Sequence, residues 1–356
     1  MVKSKKRLLT ALVLFGALAC FCGTAQAAED VIEMNFTAGY MEKHPVVQNC
    51  WLPWIKEVEE RTNGRLKITF FNQNTLVPER EHLDATRKGQ IAIGHHIFGM
   101  NQGRLPYSSV CDIPSTLSNS LAGAEAYWNM FEATPEMQAE FKGIKVLAIH
   151  SSAPNQFDMA KDEIKNVADA RGKKMLTTSG DSARVLRAIK ANPIVMPAGD
   201  FYLSLSRNMA NGCMLPMAPL RSFKISEALT SISIINFRLD AFWMGMNQDL
   251  YDSLPADIKA VIDDTTGLKM SLRIGQALYD GNAKDYKGLQ ADGIVMNVFS
   301  DEERQKLIDM SIPPAREAWF KMMEQRKYAN AQEIYDRAQK IIGEAEAKYG
   351  HLSKLD

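Results

Sequence analysis

The sequence predicts a two-lobed α/β protein that folds outside the cytoplasm, and three features lead to this expectation. Predicted strands alternate with predicted helices along most of the chain. The 329 residues that follow a predicted export signal exceed what one hydrophobic core usually supports. No repeat and no low-complexity linker separates the two lobes, so we expect the chain to cross between them more than once, as a hinge requires.

Residues 1–27 have the pattern of a secretory signal peptide. Four basic residues precede an apolar run from Leu8 to Gly23, and the small residues Ala25 and Ala27 follow it. The run is too short for a membrane-spanning helix. We therefore expect cleavage between Ala27 and Ala28 and a periplasmic mature protein. A lipoprotein acylated at Cys20 or Cys22 is the alternative, although neither cysteine follows a leucine by three residues.

The expected mature chain carries no excess of positive charge. The whole chain has 42 basic and 42 acidic residues, and loss of the four basic residues of the leader leaves a formal net charge of −4. Binding to nucleic acid or to anionic lipid is therefore not expected. Three cysteines remain, Cys50, Cys111 and Cys213, and three thiols allow at most one disulfide. We expect three buried thiols.

The hydrophobic pattern predicts the order of the elements. The apolar residues of 47–61 recur at helical spacing, and Asn63-Gly64 ends that helix. The absence of proline from 256 to 290 predicts one continuous helix of about ten turns that braces both lobes. The alternation indicates largely parallel sheets. Strands are expected at 34–37, 66–71, 91–95, 145–150, 173–177, 232–236, 242–247 and 294–298, with a further helix at 79–88.

The predicted boundaries place 28–154 plus 241–285 in a first lobe, and 155–240 plus 286–356 in a second lobe. In α/β proteins, ligands bind in crevices beyond the carboxyl ends of the strands. The pairs at these ends are Gly39-Tyr40, His95-His96, Thr177-Thr178 and Asn236-Phe237.

The chain offers little that could catalyse a reaction. None of its six histidines has metal-ligand spacing to another histidine or cysteine, and the neighbours His95 and His96 should point to opposite faces of a strand. We expect no metal, no cofactor and no enzymatic activity. The run Gly180-Asp181-Ser182 resembles the start of an esterase motif, but Ser182 is better explained as the N-cap of a helix over 183–191. An exported hydrolase that uses Ser182 is the alternative.

Several motifs occur in the order found in one family. Residues 192–202 read NPIVMPAGDFY and are followed by Gly212 and Pro216, while residues 61–66, 169–175 and 254–257 read RTNGRL, DARGKKM and LPAD. Together these motifs resemble those of the solute-binding proteins of tripartite ATP-independent periplasmic (TRAP) transporters. The resemblance covers nearly all of residues 31–345. It implies two α/β lobes with mixed sheets, crossing hinge strands and a long bracing helix.

The resemblance also implies a function. A receptor of this family closes over an organic anion and delivers it to the small and large membrane subunits of a sodium-driven permease; we expect a monomer. A sensor-type receptor that feeds a membrane kinase is the alternative. In the family, an arginine binds the ligand carboxylate with two parallel hydrogen bonds. The corresponding residue here is Leu176, and a second family arginine corresponds to Gln156 or a neighbour.

Other family positions also differ here: a family asparagine corresponds to Leu215, a phenylalanine to Ala198 and an acidic residue to His95. A carboxylate that faced leucines would be a buried charge without a partner, which costs several kcal/mol. Two alternatives follow: a conventional organic acid, as in the family, held by another cation in place of the arginine, or a bulkier and more apolar solute, for example an aromatic one, lined by Leu176, Ala198, Leu215 and Trp243. The candidate cations are Lys174, Arg207, Arg221, Arg238 and a protonated His95. The expected ligand-binding residues are Tyr40, His95, Gln156, Leu176, Thr178, Ala198, Leu215, Asn236 and Trp243.

Overall fold

A computed structural model describes residues 31–72, 75–101 and 103–353. The expected signal peptide and its cleavage point lie outside the described residues. The described strands are β1 (Ile32–Ala38), β2 (Leu66–Asn72), β3 (Ile93–Ile97), β4 (Ile144–Ser151), β5 (Asn155–Met159), β6 (Lys174–Thr177), β7 (Asn192–Val195), β8 (Gly212–Leu215), β9 (Ser231–Phe237), β10 (Ala241–Asn247) and β11 (Val295–Val298).

The α-helices of the described chain lie on both sides of these strands. They are α1 (Leu52–Arg61), α2 (His82–Arg87), α3 (Ser120–Ala133), α4 (Pro135–Glu140), α5 (Gly180–Ala188), α6 (Phe201–Ser206), α7 (Met217–Ser222), α8 (Gln248–Ser253), α9 (Ala256–Thr265), α10 (Leu268–Ala291), α11 (Asp301–Gln325) and α12 (Ala331–Tyr349). A π-helical turn, Val47–Trp51, leads into α1 and completes the helix expected over 47–61.

Two sheets divide the molecule into two lobes. The first sheet has the strand order β2-β1-β3-β10-β4, and the second has the order β11-β9-β5-β8-β6-β7. Side chains that alternate along β10 enter separate hydrophobic clusters, Trp243 on one face and Met244 on the other. Phe157 of β5 and Cys213 of β8 likewise belong to different clusters of the second sheet. Each sheet is thus covered on both faces.

The mixed sheets that the family resemblance implies are confirmed, whereas the alternation of strands and helices alone indicated sheets that are more uniformly parallel than those observed. Strand β10 runs antiparallel to both β3 and β4, and β5 runs antiparallel to both β8 and β9. The sequence pattern missed β5, β7 and β8. Strand β5 carries the buried polar residues Gln156 and Asp158, and β7 is a four-residue edge strand that contains Pro193. Such strands lack the apolar alternation from which the other strands were predicted.

The chain passes between the lobes at several points. Residues 152–154 join β4 of the first sheet to β5 of the second, and residues 238–240 return from β9 to β10. Helix α10 packs against α3 in the first lobe and α7 in the second, so it braces both lobes as expected. Arg304 of α11 donates to the carbonyl oxygens of Asn236 and Thr116, at 3.2 and 3.3 Å, and links the lobes again.

The C-terminal helix packs on the first lobe, which differs from the expected grouping of 286–356 with the second. Helix α11 starts against the second lobe, where Leu307 joins its core, and Trp319 near its other end joins the core of the first lobe. Helix α12 then packs along α3. The side chain of Glu346 accepts hydrogen bonds from the backbone N–H and the hydroxyl of Ser118, at 3.1 and 2.6 Å.

The single helix expected over 256–290 is broken into α9 and α10 at Gly267. This residue has φ +71° and ψ −141°, a conformation that is essentially restricted to glycine. Its N–H donates to the carbonyl oxygen of Leu147 at 2.7 Å. A Cβ at this position would lie 3.2 Å from the ring of Trp128. The break therefore follows from backbone conformation and close packing, which a search for proline does not detect.

Replacement of Gly267 by alanine should lower the free energy of unfolding by about 1–3 kcal/mol, because the backbone conformation disfavours a side chain. Gly343 is the matched control: it lies inside α12 with open space around it, so Gly343→Ala should raise stability by about 0.5–1 kcal/mol. Urea unfolding followed by circular dichroism measures both changes. Equal stabilities of Gly267→Ala and the parent protein would contradict the explanation of the break.

Candidate functional site

A cleft of about 420 Å³ lies between the two lobes, and both lobes supply its walls. The first lobe contributes Gly39, Tyr40, His44, Glu79, Ile97, Met100, Ser152, Ala153, Asp240 and Phe242. The second contributes Thr178, Pro197, Ala198, Gly199, Asp200, Leu215, Pro216, Ala218, Pro219 and Phe223, and Leu278 of α10 completes the lining. The cleft lies beyond the carboxyl ends of β1 and β6, where α/β proteins bind ligands.

Two aromatic rings form one corner of the cleft, and further rings support them from below. Tyr40, just after β1, stacks on His44 with ring centroids 3.9 Å apart and lies 5.4 Å from Trp51. Phe242 of β10 lies 5.7 Å from Tyr40 and stacks on His95 at 5.2 Å. Tyr40 and Phe242, here called the aromatic corner, are thus held in place by buried neighbours.

A hydrogen bond between two buried histidines lies beneath the aromatic corner. The Nε2 atoms of His95 and His150 are 2.9 Å apart. The Nδ1 atom of His150 lies 2.8 Å from the carbonyl oxygen of Ser151, which can only accept, so this nitrogen carries the proton. His95 must then donate through Nε2 to the bare Nε2 of His150. A proton added to that nitrogen of His150 would face the N–H of His95.

The histidines around the cleft are neutral near pH 7. Burial lowers the pKa of His44 and of His96 to about 3, and the pKa of His150 to about 4. The pKa of His95 lies well below the usual value because the ring is buried, and His150 beside it adds to the effect. Removal of a charged imidazolium from water is unfavourable, which explains the direction of all four shifts. These rings therefore supply no positive charge to the cleft.

Three carboxyl groups line the cleft, and none of its described lining residues is lysine or arginine. Asp200 is exposed at the end of a short 3-10 turn in the second lobe. Glu79 is half-buried in the first lobe, and burial raises the pKa of its carboxyl group. The third group, Asp240, is buried at one of the connections between the lobes.

Asp240 is paired with a buried arginine at this connection. The Nη1 atom of Arg238 donates to one carboxylate oxygen of Asp240, and Nδ2 of Asn155 donates to the other at 3.0 Å. Burial lowers the pKa of Arg238, but the negative charges of Asp240, Asp112 and Asp181 and the hydrogen bond to Asp240 together outweigh burial and raise it. The charge of Arg238 is thus compensated below the surface of the cleft.

Four of the expected ligand-binding residues line the cleft: Tyr40, Thr178, Ala198 and Leu215. Gln156 and Asn236 bind each other instead, because Nε2 of Gln156 donates to Oδ1 of Asn236 at 2.9 Å. Oε1 of Gln156 also accepts from the backbone N–H groups of Ile235 and Asn236, at 2.8 and 3.1 Å, beside a register shift between β5 and β9. Their role in ligand binding stays a prediction.

The other three expected residues are buried behind the walls. Leu176 lies in the hydrophobic core of the second lobe, and Trp243 packs 6.1 Å from Phe141 in the core of the first. His95 supports Phe242 from below. Because neighbours on a strand point to opposite faces, Phe242 reaches the cleft and Trp243 does not.

Phe242, Phe223, Glu79 and Asp240 line the cleft, although the sequence analysis did not single them out. Alternation along the predicted strand 242–247 could have identified Phe242. No local sequence pattern identifies Phe223, Glu79 or Asp240 as residues that line the cleft.

The cationic residues considered as substitutes for the family arginine do not line the cleft: Lys174, Arg207, Arg221 and Arg238. Lys174 and Arg207 are exposed elsewhere on the second lobe. Arg221 lies 3.2 Å from the carboxylate of Asp292.

Ser182 is not the cap of its helix, contrary to expectation. Helix α5 starts at Gly180, and the hydroxyl oxygen of Ser179 accepts from the N–H of Ser182 at 3.1 Å. The hydroxyl of Ser182 is buried and accepts from Ser179 at 3.0 Å. The described hydrogen-bond partner of the Ser182 side chain is thus Ser179 and not a histidine that could act as a base. The alternative of a hydrolase that uses Ser182 gains no support.

Sequence similarity assigns the chain to a family. The model of the family "Bacterial extracellular solute-binding protein, family 7" matches residues 37–322. The chain belongs to this family. Its relatives include the "Solute-binding protein" of Verminephrobacter eiseniae, with 25% identity over 294 residues, 81% of this chain and 84% of that protein. The 2,3-diketo-L-gulonate-binding periplasmic protein YiaO of Escherichia coli is 22% identical over 262 residues, 72% of this chain and 78% of YiaO.

Other similarities are shorter. The uncharacterized protein YiiZ of Salmonella typhimurium is 27% identical over 163 residues, which cover 44% of this chain and about half, 49%, of YiiZ.

Solved structures of solute-binding proteins share the fold. A TRAP solute binding protein from Rhodoferax ferrireducens, crystallised with copurified benzoate, superimposes with a TM-score of 0.83 at 24% identity, over 89% of this chain and 99% of that one. A marine metagenome TRAP solute binding protein specific for aromatic acid ligands gives 0.82 at 21% identity, over 88% and 99%. These matches confirm the two-lobed α/β fold of this solute-binding protein.

Three further features of the described residues concern partners and cofactors. No described helix combines the length and the apolarity that a membrane span needs. Within residues 31–72, 75–101 and 103–353, no group of three or more His, Cys, Asp and Glu side chains is arranged to hold a metal ion. Cys50, Cys111 and Cys213 are each buried and free, which confirms the expectation of three buried thiols.

The neutral buried histidines should make the protein less stable in acid. Unfolded histidine titrates near pH 6.5, so below that pH the unfolded state binds protons that the folded state excludes until about pH 3–4. The free energy of unfolding should therefore keep its highest value above pH 6.5 and decrease on acidification. At pH 5 the decrease should be about 2 kcal/mol for each buried histidine. Urea unfolding at pH 7.5 and pH 5 measures this loss.

Substitution of one buried histidine tests the origin of the loss. His44→Asn keeps an acceptor for the N–H of Val46, which lies 3.3 Å from Nδ1 of His44, but removes one titrating ring. The loss between pH 7.5 and 5 should shrink by about 2 kcal/mol. The control His351→Asn changes an exposed ring and should leave the loss as in the parent protein. If His44→Asn loses as much stability between pH 7.5 and pH 5 as the parent protein does, the interpretation of His44 as a neutral buried ring is refuted.

Proposed function

We propose that this protein is the periplasmic receptor of a TRAP transporter. Its lobes close over a small organic solute in the cleft and deliver it to the membrane subunits of the permease. The observation that carries the proposal is the cleft itself, because both lobes supply its walls while two short connections and α10 hold them together. Membership of the solute-binding family and the fold shared with TRAP receptors support it.

The lining favours a solute with a substantial apolar surface. Tyr40, Phe242 and Phe223 provide rings, Leu215 provides an aliphatic side chain, and Ala198 contributes only a methyl group to the lining. Aromatic solutes would gain offset stacking and burial of apolar area there. No guanidinium lines the described cleft to fix a carboxylate, so apolar burial must supply much of the affinity.

The proposed export rests on residues 1–27 and is testable directly. Full-length protein made in a Gram-negative host should appear in the periplasm with Ala28 at its N-terminus, as measured by intact mass spectrometry. Cys20→Ser and Cys22→Ser variants should be processed in the same way, because the expected cleavage removes both residues. A lipid-modified N-terminal cysteine that disappears in one of these variants would establish the lipoprotein alternative instead.

A thermal-shift screen against organic acids, amino acids, amines and aromatic metabolites tests the receptor function. Solutes that bind the folded protein raise its Tm by mass action, and small-angle scattering with the best solute should report a more compact molecule. Catalytic conversion of that solute, or binding without compaction, would contradict the proposal.

Filling the cleft should abolish binding. Ala198→Trp introduces a bulky ring into the part of the cleft lining that the second lobe supplies, so affinity for the best solute should fall at least tenfold in calorimetry. Leu203→Trp is the matched control, because Leu203 lies nearby on α6 but is 48% exposed and outside the cleft. Retained affinity in Ala198→Trp, or an equal loss in Leu203→Trp, would place the binding site elsewhere.

A further inference from the structure

We infer that closure of the lobes binds a proton: Asp112 takes it up from solvent when the second lobe brings Asp181 toward it. This inference rests on the proposed receptor function and concerns the regulation of its cleft. Its basis is a second cavity, of about 370 Å³, in which carboxyl groups of both lobes meet. A solute that closes the lobes would then bind more tightly as the pH falls.

Three parts of the molecule line this second cavity. The first lobe supplies Asp112, which ends a 3-10 turn over Ser108–Asp112. The second lobe supplies Asp181 and Arg184 from the first turns of α5, and α11 supplies Arg326 near its end. The cavity therefore depends on the relative position of the two lobes.

The lobes touch beside the second cavity. Gly99 follows β3 of the first lobe, and a Cβ there would lie 3.2 Å from Cβ of Ser179 and 3.7 Å from Oδ2 of Asp181, which both follow β6 of the second lobe. Met100 and Thr178, the residues next to this contact, line the cleft. The cavity and the cleft thus lie at the same strand ends, so an opening that separates the walls of the cleft also separates the carboxyl groups of the cavity.

Asp112 is the group of the cavity that holds the proton. Its side chain is 4% exposed, and neither carboxylate oxygen has a hydrogen-bond partner of good geometry among the described residues. Burial raises the pKa of Asp112 well above its usual value, and the charge of Asp181 adds to the effect. The charge of Arg238 and the N–H of Ala241 act in the opposite direction and do not cancel it. Loss of water and a nearby like charge both favour the neutral acid.

Two ion pairs face Asp112 from the elements packed around it. Arg238 is paired with Asp240 at the hinge, and Nη2 of Arg184 lies 3.6 Å from Oδ1 of Asp181 on α5. Each of these arginines thus has a carboxylate partner already. An ionised Asp112 would be a third carboxylate beside two guanidinium groups, and protonation removes that excess negative charge.

The other titratable and charged neighbours do not replace Asp112 in this role. Tyr127 of α3 and Cys111 are buried near it, and burial raises the pKa of both groups, so both are neutral near pH 7. Arg326 lines the cavity but is exposed and donates to the carbonyl oxygen of Gly103. None of these three groups supplies a buried positive charge that would hold Asp112 ionised.

The sign of the pH effect follows from linkage. In the open form, Asp112 is nearer to water and farther from Asp181, so the pKa of its carboxyl group is lower than in the closed form. Between these two pKa values the closed form holds a proton that the open form lacks, so closure is favoured as the pH falls. The buried His44, His96 and His150 titrate only near pH 3–4 in the folded protein, so they do not produce this effect at neutral pH.

A measurement without any solute tests the inference. Spin labels on Leu52→Cys in the first lobe and Leu203→Cys in the second report the distance between the lobes, because both positions are exposed whereas the three native cysteines are buried. Between pH 8 and pH 6 the population with the shorter distance should increase at least threefold. A distance distribution that does not change with pH would overturn the inference and leave the receptor function in place.

Variants of the labelled protein locate the proton. Asp112→Asn imitates the protonated group, so its distance distribution should be independent of pH and resemble that of the parent at pH 6. Asp181→Asn should reduce the pH dependence by at least half, and it provides a test if Asp112→Asn does not fold. Asp249→Asn is the matched control, because Asp249 is exposed on α8 and lines neither the cavity nor the cleft, so it should keep the full dependence.

Glu79 is the competing proton site, since it lines the cleft and burial raises the pKa of its carboxyl group. Glu79→Gln should keep the pH dependence of the distance between the lobes. Loss of this dependence in Glu79→Gln, together with its retention in Asp112→Asn, would place the proton in the cleft and refute the inference.

Calorimetry with benzoate as the probe counts the protons. Phosphate and Tris differ in their heats of ionisation, so the difference in binding heat between these buffers at pH 7 should report uptake of about one proton per benzoate, and of almost none in Asp112→Asn. Closure by benzoate without proton uptake, or uptake that Asp112→Asn retains, would refute the inference alone. Failure of every solute of the screen to close the lobes would instead refute the receptor function.

Discussion

The hydrogen bonds between the two lobe-to-lobe connections are the constraint on which the cleft depends. The N–H of Ser152 donates to the carbonyl oxygen of Asp240 at 2.8 Å, and the N–H of Asp240 donates to the hydroxyl of Ser152 at 3.0 Å. Nδ2 of Asn155 donates to the carbonyl oxygen of Arg238 at 2.8 Å. Because the connections are bound to each other, they must bend together, which favours rotation of the lobes as two bodies about one hinge. Residues 152, 153 and 240 also line the cleft, so the hinge forms part of its floor.

The same connection explains why a buried arginine does not make the cleft positive. Arg238 has φ +54° and is 1% exposed, so both its backbone and its charge depend on neighbours that hold them. Asp240 supplies the counter-charge, and Asp112 lies close enough to affect the pKa of Arg238 in the same direction. Removal of one member of such a buried pair typically costs about 3–5 kcal/mol, because the remaining charge loses its partner. The charge of Arg238 is therefore paired within the hinge and does not reach the cleft.

The sequence predicted the elements whose apolar periodicity is strong, and it failed where the structure depends on contacts distant in sequence. The helix over 47–61 and the strands over 66–71 and 242–247 follow from local patterns. The break at Gly267 depends on Trp128, which no local pattern reveals. At the site, Tyr40 and Thr178 follow from the rule for strand ends and line the cleft, but an alignment does not fix the direction of a side chain. Leu176 thus occupies the aligned position on β6 and yet lies in the core, whereas Thr178, just beyond that strand, lines the cleft.

The division of the lining between the lobes links the solute to closure. Tyr40 and Phe242 belong to the first lobe, and Ala198, Leu215 and Phe223 belong to the second. A solute that contacts both groups exposes its apolar surface to water when the lobes separate and buries it when they close. A ligand shifts a conformational equilibrium only through its different affinity for the two states. In this cleft, the apolar area that closure removes from water would supply that difference, so affinity and lobe closure would have the same physical origin.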